Sequence, residues 1–203
     1  MHRRTSRGAA LAAAAMLLAA ASVAAPAQAK TTAVDRAFVR EMIPHHEMAV
    51  EMAEMARMQA SHTRIKTLAK SIIEDQNAEI RELTAIRKRL DVKPLPTGHE
   101  EHESMMRDAE TLGLTMDEMG MSMNMDELDG AEPFDRRFMD MMITHHQGAI
   151  RMARAELAKG GNAQLRTIAR AIVSAQKREI TEMNRWRKQW YGGSSPAGGV
   201  PPA

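Results

Sequence analysis

Residues 41–56 read EMIPHHEMAVEMAEMA, and residues 141–156 read MMITHHQGAIRMARAE. Each places two adjacent histidines in an apolar, methionine-rich stretch. The likeness extends well beyond these segments. Residues 35–90 align without a gap on residues 135–190, with 19 identities in 56 positions. Among them are Phe38/Phe138, Met42/Met142, His45/His145, His46/His146, Met52/Met152, Gln76/Gln176 and Glu79/Glu179. An ungapped internal repeat of this length sets the fold class, because one supersecondary unit is used twice. Within each unit the apolar residues follow helical spacing. The first helix is expected over 35–59 and 135–158, the second over 62–90 and 162–190. Ser61 and the Gly160-Gly161-Asn162 break are read as ending the first helices and capping the second. Pro44 lies inside the first helix, where it removes a donor and is expected to kink the chain. A lone amphipathic hairpin cannot bury its apolar stripe. The sequence therefore predicts an all-α chain, an up-down four-helix bundle of two tandem hairpins related by the 100-residue repeat.

At about 100° per residue, with Phe38 at zero, Met42 falls near 40°, His45 near 340°, Ala49 near 20° and Met52 near 320°. His45 and His145 are thus expected in the core, ringed by methionine and alanine. His46 falls near 80°, on the shoulder of the stripe. On the second helix Gln76 and Glu79, with Gln176 and Glu179, also land on the apolar face. Buried polar groups need partners. These four are candidates to accept from an imidazole N–H and fix its tautomer, as the outer partners of metal-bound histidine do.

The chain opens with MHRRTSRGAALAAAAMLLAAASVAAPAQAK, a basic start, an apolar run and an A-x-A motif ending at Ala29. This reads as a secretory signal peptide over residues 1–29, cleaved after Ala29, and so as an exported, secreted or periplasmic protein. Its removal takes three arginines from 28 basic residues and leaves 25 against 26 acidic ones. A nearly neutral chain gives no reason to expect nucleic acid. No other stretch is apolar enough to span a bilayer. There is no cysteine, against 19 methionines and only six aromatic residues. An exported protein without disulfides is held by its core or by a bound metal.

Residues 30–90 and 134–191 form the two repeats of one folded domain, 30–191. Residues 91–133 link them, broken by Pro94, Pro96 and Gly98. Helices are expected near 99–112 and 124–129. The linker contains HEEHESMM (99–106) and MDEMGMSMNM (116–125). If helical, the first puts His99, His102, Met105 and Met106 on one face. The second spaces Met116, Met119, Met121, Met123 and Met125 as methionine motifs of copper-handling proteins do. The tail, 192–203, is rich in Gly, Ser and Pro and is expected to be disordered.

Imidazole with thioether, and no thiolate, is a ligand set that favours copper, Cu(I) above all. A di-iron centre calls for inward glutamates and Glu-x-x-His, whereas this chain has Met-x-x-His at Met42–His45 and Met142–His145. The residues point first to an exported protein that binds copper and sequesters or carries it. Its mechanism would be binding, without turnover. A metal-free helical interaction module of the cell envelope and a ferritin-like oxidoreductase are the other readings. No nucleophile–base constellation or phosphate loop is present, so catalysis has no evident residues.

The segments FVREMIPHHEMAVEMA and FDRRFMDMMITHHQGAIRMA, followed by SAQKREITEM, resemble the domain of unknown function 305 family over about residues 34–190. The resemblance implies a ferritin-like helical fold, and some exported members of that family bind copper and support copper tolerance. It also implies functional positions at His45, His46, Met42 and Met52, and at His145, His146, Met142 and Met152. Two departures stand out. Thr144 replaces the proline of the motif, and Gly148 stands where the first repeat has Met48, leaving the second site poorer in sulfur.

Overall fold

The structure, a computed structural model, describes residues 30–202. The expected signal peptide lies outside them. Among the described residues five α-helices account for most of the chain: α1 (Ala33–Gln59), α2 (Thr63–Arg89), α3 (His99–Leu112), α4 (Phe134–Lys159) and α5 (Ala163–Tyr191). There is no strand among the described residues. A single 3-10 turn, Met125–Glu127, interrupts the linker after α3. None of these helices is long and apolar enough to cross a membrane.

Local chemistry sets the helix ends. Thr32 and Asp35 form a reciprocal capping box at the start of α1. Asn162 accepts from the backbone N–H groups of Gln164 (3.0 Å) and Leu165 (3.1 Å) to open α5. At the equivalent place in the first hairpin, His62 precedes α2 without a side-chain cap. Ser61, expected to cap there, instead donates its N–H to Asp135 (2.8 Å). α1 continues in helical form through Pro44.

Packing joins α1 to α2 and α4 to α5, and the two pairs meet chiefly through α1 and α4. α3 lies against α1, where Arg40 and Asp108 form an ion pair. Two apolar clusters fill the interior. One holds Met52 of α1 with Phe138 and Met142 of α4, the other Phe38 and Met42 of α1 with Met152 and Ala153 of α4. The N-terminal half of each helix thus packs on the C-terminal half of the other, so α1 and α4 run antiparallel.

Two carboxylates tie the hairpins in a reciprocal way. Asp135, near the start of α4, accepts from the N–H groups of Ser61 and His62, both at 2.8 Å, in the α1–α2 turn. Asp35, near the start of α1, accepts from Gly161 (3.1 Å) and Asn162 (2.8 Å) in the α4–α5 turn. Burial alone would raise the pKa of Asp35, but the N–H groups of Thr32, Asn162 and Gly161 outweigh it and hold the carboxyl below its ordinary range.

The tail corrects the expectation of disorder. Residues 192–202 fold back on α4 and α5. The Gln147 amide donates to the carbonyls of Ala197 (2.8 Å) and Gly199 (2.7 Å), and Asn184 donates to Gly198 (2.7 Å). Ala197 and Val200 pack on the core. Composition alone hid this, because glycine and proline carbonyls are acceptors that a neighbouring helix can satisfy.

Candidate metal centre

α1 and α4 bring the doubled histidines together. The rings of His45 and His145 lie against each other, their planes tilted by 31°, with centroids 3.6 Å apart. His46 stands 6.1 Å from His45, and His146 stands 6.4 Å from His145, centroid to centroid. All four are fully buried, at 0% exposure. His46 and His146, expected on the shoulder of the stripe beside His45 and His145, are thus buried as fully as that pair. α1 and α4 are each covered on several sides, so the flank of the stripe is closed as well as its centre.

The glutamates reach a different histidine from the one facing the core. Glu79 sits 2.7 Å from His46 Nε2, and Glu179 sits 2.5 Å from His146 Nε2. Both glutamates are partly exposed, their side chains at 22% and 16%. A carboxylate at Nε2 fixes the proton there and leaves Nδ1 with a lone pair. In both rings Nδ1 is buried and without a partner. Gln76 and Gln176 are buried too, but neither side-chain oxygen has a hydrogen-bond partner.

Neither ring nitrogen of His45 or His145 has a partner in good hydrogen-bond geometry, although the backbone of Met119 and His145 lies near the His45 ring and that of His45 near the His145 ring. Burial pushes both pKa values well below the ordinary histidine value. The charges of His46 and His146 add to this at His45, and those of the other three histidines at His145. Neutral rings keep their lone pairs. Six buried imidazole nitrogens thus lack a partner at one level of the molecule, an arrangement costly to leave unfilled.

Met42, Met52, Met142 and Met152, on the same two helices as the histidines, are each at 0% exposure. The repeat exchanges their surroundings: Met42 and Met152 share one apolar cluster, Met52 and Met142 the other. Among the described residues no three His, Asp or Glu side chains already converge as a ligating group. The buried candidate donors are imidazole nitrogens, with methionine sulfurs on the same helices, and such a set would suit a soft cation such as copper.

The linker residues divide. His99, His102 and Met106 lie exposed on α3, away from the buried face formed by Ser104, Asp108, Ala109 and Leu112. Met105 is half-buried. Met119 is fully buried, while Met116, Met121, Met123 and Met125 are half-buried against the core. Gly148 explains the departure from Met48. A Cβ there would lie 1.9 Å from the carbonyl oxygen of Met119, so only glycine lets the linker seat on α4. The sulfur missing from position 148 makes room for a methionine from elsewhere.

Two buried carboxyls escaped the reading from spacing. Glu41 and Glu156 are fully buried and accept no hydrogen bond. Burial, with Asp108 adding to it, pushes Glu41 up to about 9. Burial, with Asp35 adding to it, pushes Glu156 up to about 8. The signal was there to use. Eighteen residues from Phe138, Glu156 falls near 0° on the helical wheel, at the centre of the apolar stripe.

Comparison with known proteins follows the same direction. The family model described as Domain of unknown function (DUF305) matches residues 35–187. Among solved structures, CopM in its Cu(I)-bound form is 32% identical, with a TM-score of 0.64, covering 78% of this chain and 98% of that one. CopM in its Cu(II)-bound form is 33% identical, covering 77% and 97%, with a TM-score of 0.63. A candidate secreted DUF305 protein of Streptomyces coelicolor superposes with a TM-score of 0.69 at 21% identity, covering 81% and 96%, a likeness of fold alone. No curated protein matches the chain.

Proposed function

The chain belongs to the DUF305 family, and from that premise we propose that it is an exported protein that binds copper, as Cu(I), for sequestration, transport or tolerance. The observation that carries this reading is the set of six buried, unpartnered imidazole nitrogens on His45, His46, His145 and His146. Nothing in ordinary core packing favours that arrangement, whereas a bound cation would satisfy it. His45, His46, His145 and His146 would hold the ion, with thioethers from Met42, Met52, Met142 and Met152. Glu79 and Glu179 orient the His46 and His146 rings. Gln76 and Gln176 line the same level. CopM, at about a third identity, has Cu(I)-bound and Cu(II)-bound forms, which supports copper as the ion.

The wider reading follows from the same parts. We take the two hairpins as a ferritin-like four-helix bundle with α3 added, and residues 1–29 as the cleaved leader of an exported chain. The exposed His99, His102 and Met106, the half-buried Met105, and the linker methionines Met116, Met119, Met121, Met123 and Met125 are auxiliary soft ligands. Loading the chain from Lys30 with Cu(I), Cu(II), Zn(II) or Fe(II), then measuring retained metal after gel filtration, tests the function. Copper should be retained in stoichiometric amount and iron should not. Retention of iron alone, or of no metal, contradicts the reading.

A further inference from the structure

The histidine pair is sealed on one side by chain that is neither α-helix nor strand. Residues 115–128 cross α4 at its histidines. Met119 is fully buried, and its backbone rests on α4 so closely that a Cβ at Gly148 would lie 1.9 Å from its oxygen and 2.3 Å from its carbonyl carbon. Gly120 follows with φ +72°, where a Cβ would lie 3.2 Å from His145 Cα and from the Thr144 carbonyl oxygen. Two facing glycines thus seat this segment directly over His145. Its other methionines straddle the centre: Met116 and Met121 pack on one apolar cluster, Met123 and Met125 on the other.

What holds the segment down is modest. Arg151 donates to the Glu118 carbonyl (3.2 Å), Arg137 of α4 pairs with Glu127 at the rim, Met119 and Leu128 are the buried anchors, and the remaining backbone bonds within 115–128 are local turns. Segments anchored by a few apolar contacts and few long-range hydrogen bonds open at lower free energy than packed helices do. Beside it lies an open cleft of about 320 Å³ between this segment and the folded-back tail, lined by Met123, Asp140, Met141, Thr144 and Ala197. Thr144, at its wall, directly precedes His145 and stands where the first repeat has Pro44. Rings at 0% exposure cannot exchange an ion with solvent unless something moves, and α1 and α4 are the most deeply packed elements.

We propose that residues 115–128 form a displaceable strap that closes over His145 and His45, and that the pair is reached when the strap lifts from Gly148 beside the Thr144 cleft. The role of the pair as a metal centre rests on the function proposed above, but the gate is testable without metal. Diethyl pyrocarbonate reacts with the same neutral imidazole lone pairs that a cation would use, and mass spectrometry reads each histidine separately. In the metal-free full chain from Lys30, His45 and His145 should react far more slowly than the exposed His99 and His102. Gly148→Ala forces the strap off α4. Met119→Asp expels it from its own side and leaves α4 untouched. In either variant that keeps its helical circular dichroism, amide exchange over 115–128 should accelerate, and His45 and His145 should react about tenfold faster or more. His99 and His102 should be unchanged. Faster amide exchange with unchanged His45 and His145 reactivity overturns the proposal. So does continued amide protection in both variants. A Cu(I) transfer assay separates the two readings. If wild type takes up copper, lifting the strap should speed both uptake and release. If wild type takes up none, the metal function fails, while the reactivity result still decides the gate.

Discussion

His46 and His146 each offer one ring nitrogen to a glutamate and keep the other bare. That division gives Glu79 and Glu179 a role distinct from ligation: they select the tautomer that leaves Nδ1 free. Glu79→Gln with Glu179→Gln should weaken Cu(I) affinity by roughly 10–100-fold without abolishing it. A chelator competition on the double variant measures this. Loss of all binding would make the glutamates ligands, and unchanged affinity would make the contacts incidental. At this scale the sequence was legible in part. Helical spacing put His45 in the core because one angle per residue locates the stripe. It left His46 on the shoulder because a wheel says nothing of how many neighbours surround a helix. It sent both Gln76 and Glu79 towards the imidazoles, and of the two Glu79 is the one in contact.

At the scale of elements, the Asp35 and Asp135 latches and the two buried glutamates make separate predictions. Asp135→Ala leaves the Ser61 and His62 N–H groups unpaired, and Asp35→Ala does the same to Gly161 and Asn162. Each should cost about 1–3 kcal/mol in urea unfolding, and a loss below about 0.5 kcal/mol would show that water replaces the carboxylates at no cost. Glu41 and Glu156 have pKa values raised from 4.5 to about 9 and about 8. The folded chain therefore keeps protons that the unfolded chain releases above pH 4.5. The stability these groups contribute is full below pH 4.5 and is lost as pH rises through 8 to 9. Thermal melts should fall between pH 6 and pH 9, and Glu41→Gln with Glu156→Gln should flatten that slope. A slope identical in the variant would place its origin in other groups. The helix bounds were readable because caps and breaks are local signals. The strap and the tail were not, since Gly148 meets Met119 and Gln147 meets Ala197 only once the chain has folded.

For the molecule as a whole, the two hairpins bring four buried histidines to one level, on helices that also carry buried methionines. A ligand that binds only the folded state stabilises it by mass action. Copper at about 100 times its dissociation constant should contribute about 2.7 kcal/mol, or roughly 5–10 °C in melting temperature for a chain of this size. The repeat made this level visible in the sequence before any coordinates, because both copies carry His, Met, Gln and Glu at the same offsets. The central claim is that the buried nitrogens exist to hold a soft ion. It is tested most directly by Cu(I) competition against a chelator of known affinity, run on wild type and on His45→Ala with His145→Ala, each beside a thermal melt. Wild type should take Cu(I) from the chelator and melt higher with it, and the double variant should do neither. A wild type that leaves copper with the chelator, and whose melt is unmoved by the metal, would contradict the account and leave the doubled histidines as core packing.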